Sequence, residues 1–161
     1  MQARMDIQKV APQAYAPMAG LESYVRNSGL EPTLLELVKV RASQINGCAY
    51  CIDMHTKDAR ANGESEQRLY SLDAWRETPF FTDRERAALA WTEAITLISQ
   101  THAPDDVYEE VRQRFTDLEL VNLTMAIVAI NGWNRFMIGF RVVPGTYEPK
   151  KAHSAAHWAL A

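Results

Sequence analysis

The chain has 161 residues, 47% hydrophobic and 23% charged, with 7 glycines and 7 prolines. That composition excludes wholesale disorder, collagen and low-complexity sequence, and the length suits one domain, 1–161. The net charge of −3 comes with no basic block, so no nucleic-acid partner is expected.

The segment from Met1 to Lys9 carries Arg4, Asp6 and Lys9 and has no apolar h-region, so the expected location is the reducing cytoplasm. Helical spacing begins with Ala14, Met18, Leu21 and Val25 on one face of a helix from Pro12 to Ser28, stopped by Asn27-Ser28-Gly29. Pro32 opens a second helix through Leu34, Leu35, Leu37, Val38 and Ile45, and Asn46-Gly47 is a left-handed stop signal. A third helix starts near Cys48 and ends at Asn62-Gly63, and a short one follows from Ser65 to Leu72.

Thr82-Asp83-Arg84-Glu85 is a capping box, and it opens a helix carrying Ala88, Leu89, Trp91, Ile95 and Ile98. Pro104 starts another helix, ending near Phe115. A second capping box, Thr116 to Glu119, opens a long helix that Pro144 is expected to end. This last helix is apolar in the middle but interrupted by Glu119, Asn122, Asn131, Asn134 and Arg135, so it is a core helix and not a membrane span. The expectation is an all-α domain of about seven helices, with a core over 12–144 and a tail over 145–161.

The chemistry concentrates between Glu36 and His55. Both cysteines of the chain lie there, three positions apart as Cys48-Ala49-Tyr50-Cys51. So short a loop would staple little of the fold, which turns attention to redox or metal chemistry. With a helix starting at Cys48, the residues Cys48, Cys51 and His55 share one face. Free N–H groups and the helix dipole in the first turn favour a thiolate, and the spacing allows a disulfide across one turn.

Glu36 lies ten residues before Asn46, and His55 lies eight after Gly47. The two arms are then about 15 and 12 Å long, so an antiparallel return brings the carboxylate and imidazole roughly level. A carboxylate inside Leu34-Leu35-Glu36-Leu37-Val38 is costly unless paired, and a Glu–His pair one turn below a thiol is suited to relay protons. The blander readings are a packed His55 and a Glu36 paired with Lys39 or Arg41. Zinc is the metal alternative, with a further ligand from Glu36 or a distant histidine. His102, His153 and His157, however, show no ligand spacing. Asn131 and Asn134 are assigned to hydrogen bonds between helices, Trp91 and Trp133 to the core or an interface, and Arg135 is a possible counter-charge for Glu36.

Glu36, eleven residues, then Cys48-x-x-Cys51-x-x-x-His55, set in Val40 to His55, resembles the signature of the AhpD-like alkylhydroperoxidases of the carboxymuconolactone decarboxylase superfamily. Ala129 to Arg135 adds to the likeness. The resemblance implies an AhpD-like all-helical fold assembled as a homo-oligomer, trimer or hexamer. It implies a thiol-dependent peroxidase that needs no metal or other cofactor. Cys51 would be peroxidatic and Cys48 resolving, with Glu36 and His55 as the proton relay. The resulting Cys48–Cys51 disulfide would be reduced by an external dithiol of lipoyl or thioredoxin type. Helix-start physics disagrees on one point, because the first cysteine of such a pair commonly has the lower pKa, which would make Cys48 the attacker. Known alkylhydroperoxidases also carry a second histidine where this chain has Tyr50, a phenol of pKa near 10 and a poor shuttle at neutral pH. General thiol–disulfide exchange with little peroxidase activity is therefore the first alternative, and a zinc-binding structural module the second.

Overall fold

In the computed structural model, which describes residues 1–149, the chain is all-helical. A short α1 (Ile7–Val10) precedes α2 (Pro12–Arg26), α3 (Pro32–Asn46), α4 (Ala49–Ala61) and α5 (Glu66–Ser71). A 3-10 segment, Leu72–Glu77, leads to α6 (Asp83–Thr96), α7 (Ile98–Thr101), α8 (Asp105–Arg112) and α9 (Asp117–Gly139). The described residues thus hold nine α-helices against the seven expected. The two additions, α1 and α7, have four residues each, too few to leave a periodic signal. Part of the predicted tail, 150–161, lies outside the described residues.

The start signals act as the sequence predicts. Pro12 and Pro32 occupy first-turn positions, and both capping boxes form, with Thr82 and Thr116 accepting from the N–H groups of Glu85 and Glu119. The end of α9 differs from expectation. It stops at Gly139, five residues before Pro144, because Arg141 takes a left-handed φ of 55°. The amide of Val142 then closes on the Met137 carbonyl at 2.9 Å, and Arg4 donates from its backbone and its guanidinium to the Phe140 and Gly139 carbonyls. An arginine in the place usually held by glycine hides this stop from a reading of residue types.

Helix α3 is the hub. It buries Leu34, Leu35, Leu37, Val38, Val40 and Ala42 and packs against α4, α6 and α9, so no polar stripe faces water along its centre. Leu34, Leu35 and Val38 join one core cluster with Val25, Trp91, Leu123 and Ile127, while Leu37 and Val40 join Leu72, Trp75 and Leu89 in a second. A third, smaller cluster contains Ala42, Ile130 and both cysteines. Helix α3 ends at Gly47, which has φ 70°, and the Cys48 amide donates back to the Ser43 carbonyl at 2.9 Å. This closing turn reverses the chain within one residue and makes Cys48 the N-cap of α4.

Candidate active site

Cys48 and Cys51 are free thiols, 1% and 2% exposed, with their sulfurs 2.7 Å apart. As N-cap, Cys48 Sγ accepts the Cys51 amide at 3.4 Å. Hydrogen bonds from the Cys51 thiol and amide and from Asn134 outweigh burial and hold the Cys48 thiol down to about 7. Cys51 is pushed up, first by its hydrogen bond to Cys48, then by burial and the neighbouring charge. The pair therefore shares one proton near neutrality, with the charge resting on Cys48. Helix-start physics had indicated the same ordering.

The length argument for Glu36 and His55 holds: Glu36 Oε2 and His55 Nδ1 lie 2.8 Å apart. Burial pushes the Glu36 carboxyl up, but the hydrogen bond with His55 and the charges of His55, Lys39 and Arg26 leave it below its ordinary value. An ionised carboxylate can only accept, so Nδ1 carries the hydrogen and Nε2 is left as an acceptor. His55 lies one turn beyond Cys51 on α4, and the two border the same cleft. Arg135 is not the counter-charge of Glu36, because it folds back onto Asn131 of its own helix. Arg41 turns away as well, toward Glu93 and Asp73. Lys39 takes the place, with Nζ 3.9 Å from Glu36 Oε1 and 2.5 Å from Glu22 Oε1.

The cleft holds about 450 Å³ and is walled by Tyr15, Tyr50, Met54, Trp133, Met137 and Tyr147, with Cys51 and His55 within it. Trp133 packs against Tyr15 with ring centroids 5.1 Å apart, so it is cleft wall and not merely core. Burial and nearby acidic groups push the Tyr50 phenol up, which leaves it a hydrogen-bond donor at neutral pH. Tyr147 comes from the segment after α9. Its hydroxyl donates to Asp58 at 2.7 Å, Lys57 holds its carbonyl at 3.0 Å, and the Gly145 amide binds Asp53 at 3.0 Å.

Asn131 and Asn134 do tie helices together: both accept from Asn46 on α3, at 2.9 and 2.8 Å, and Asn134 donates to Ser43 at 3.0 Å. Asn134 also favours the charged form of both thiols, a role its sequence position did not reveal. Glu22, Tyr147 and Ser43 were likewise missed. None has a motif that a reading of residue types could single out.

Glu36, His55 and Asp58 bring donor atoms within 4.8 Å of one another. The set does not suit a cation, because Asp58 is held by Tyr147, Glu36 by His55, and the Lys39 ammonium stands beside it. Among the described residues no such cluster includes Cys48 or Cys51, so the zinc reading finds no third ligand there. His153 and His157 lie outside those residues.

A helical bundle that sets a dithiol at a helix start beside a Glu–His pair defines a class of protein. Residues 11–94 match the carboxymuconolactone decarboxylase family. The uncharacterized protein YdfG of Bacillus subtilis is 45% identical over 138 residues, covering 86% of this chain and 94% of its own. The chain belongs to the carboxymuconolactone decarboxylase family and is AhpD-like. A crystal structure from Agrobacterium tumefaciens, of a protein of unknown function provisionally named antioxidant defence protein AhpD, superposes with a TM-score of 0.88 at 46% identity. It covers 91% of this chain and all of that one. The debrominase Bmp8 shares the fold at 17% identity, with a TM-score of 0.78 over 86% of this chain and 75% of its own. No helix among the described residues is long and apolar enough to cross a membrane.

Proposed function

We propose that the protein is a thiol-dependent peroxidase that reduces hydroperoxides through Cys48 and Cys51. The observation that carries the reading is that Cys51 borders the cleft together with His55, while Cys48 lies behind it at 2.7 Å. His55 Nε2 takes the Cys51 proton, and the Cys51 thiolate attacks one peroxide oxygen. The O–O bond breaks, Cys51 becomes a sulfenic acid, and the leaving alkoxide receives the proton from His55 to depart as an alcohol. The Cys48 thiolate then attacks the Cys51 sulfur, forming the disulfide and expelling hydroxide, which takes a proton from solvent and leaves as water. Two electrons have left the sulfurs, and an external dithiol of lipoyl or thioredoxin type returns them by exchange. The low pKa of Cys48 serves this second step and the meeting with the reductant. No cofactor takes part.

Assembly as a homo-oligomer, trimer or hexamer, belongs to the same reading. It is supported by the outer face of α9, where Leu118, Val121 and Val128 are 67%, 58% and 48% exposed.

The test is titration with one equivalent of an organic hydroperoxide, followed by mass spectrometry. Loss of two hydrogens and of both free thiols is the expected result; unchanged thiols, or sulfonic acid alone, would reject the reading. Cys51→Ser should abolish peroxide consumption, and Cys48→Ser should leave a trappable sulfenic acid. Tyr50, which stands in the place of a histidine and holds its proton firmly, favours one second reading, a thiol–disulfide exchanger in which Cys48 attacks a disulfide directly. Faster turnover of a protein disulfide than of a hydroperoxide would favour it.

A further inference from the structure

The side chain of Lys39 is only 2% exposed, and no fully buried side chain is larger. Enclosing an ammonium is costly unless its charge is answered. Two carboxylates answer it, from different helices and with different neighbours. Glu22 of α2 is in contact at 2.5 Å and borders the cleft, while Glu36 of α3 lies at 3.9 Å and binds His55. Arg26, 3.4 Å from the same Glu22 oxygen, competes for it.

We propose that Lys39 is a positioning residue of the proton relay. Its charge, divided between Glu22 and Glu36, keeps Glu36 a carboxylate and so commits His55 Nδ1 to donating and Nε2 to receiving the Cys51 proton. The inference rests on the peroxidase reading for what the relay does, but the claim about His55 stands apart from it. The other groups around Glu36 do not replace Lys39. His55 and Asp58 face it from α4, Arg26 is exposed and already paired with Glu22, and Tyr147 is a neutral donor turned to Asp58. Asp58 raises the need for a nearby positive charge. Lys39 is also among the charges that hold Glu36 down. No proton has to leave Lys39; it acts through Glu36.

Removing this positive charge raises the proton affinity of Glu36, the carboxylate that must be ionised to hold the Nδ1 hydrogen of His55. The acid limb of peroxide-driven disulfide formation then moves to higher pH. Nitrogen NMR of the His55 ring reads the tautomer directly, whatever the reaction proves to be. Lys39→Met is expected to reduce the Nδ1–H tautomer and to move the acid limb up by about one pH unit, while Lys39→Arg retains both. Glu22→Gln frees Lys39 for Glu36 and should move the limb down. An unshifted limb and unchanged tautomer in Lys39→Met would overturn the proposal. If Lys39→Met does not fold, as judged by circular dichroism, Glu22→Gln decides: a limb that stays or rises overturns it. Wild-type protein that forms no disulfide with peroxide removes the peroxidase reading alone, and the tautomer measurement still tests Lys39.

Discussion

Cys48 and Cys51 stand three positions apart in the chain yet meet different electrostatic surroundings. Cys48 receives the hydrogen bonds available at a helix start, while Cys51 supplies two of them, from its thiol and its amide, and faces the cleft. The ultraviolet thiolate band of the reduced protein should therefore rise by one thiolate per chain with a midpoint near about 7, and Cys48→Ser should remove that step. The sign follows from the depressed value: the thiolate forms as pH rises through it and is lost below it. In the proposed relay His55 acts on the sulfur and Glu36 on His55. His55→Ala should slow peroxide-driven disulfide formation by about 10²-fold while leaving both thiols titratable, and Glu36→Ala should slow it in the same direction. Rapid-quench mass spectrometry measures both, and native rates in either variant would exclude the relay.

Among the elements, the α3–α4 hairpin matters most to the site. Its register depends on Gly47, the residue at which the chain enters the left-handed region with φ 70°. No atom lies within 4 Å of a Cβ built there, so the cost of Gly47→Ala is backbone strain alone. Chemical denaturation should show a loss of about 1–2 kcal/mol. Because Cys48 follows directly, peroxide-driven disulfide formation should slow as well. The hairpin alone does not complete the site, since α2 brings Glu22 and Tyr15, α9 brings Asn134 and Trp133, and the segment after α9 brings Tyr147.

Across the whole molecule, three core clusters meet on α3, and the outer face of α9 is left apolar. Replacing Val121 and Val128 together by glutamate places two charges on that face without touching the buried Leu123 or Ile127. Light scattering should show the proposed oligomer falling to a single chain while the helical dichroism is kept. A wild-type protein that scatters as a monomer would remove the assembly from the proposal.

Reading the residues alone located most helix starts, because prolines and capping boxes act through bonds closed within four residues. It also brought Glu36 level with His55, because two helix lengths and one Gly47 reversal are enough to do so. It could not decide which cation answers Glu36, that Asn134 favours the thiolates, that Arg141 ends α9, or that Tyr147 walls the cleft. Those choices depend on how α2, α4 and α9 are rotated and crossed against α3, and crossing is set by side-chain packing between elements distant in the chain. Local hydrogen bonding determined the elements and the thiol pair, while only the packed bundle decided the charges and walls around them.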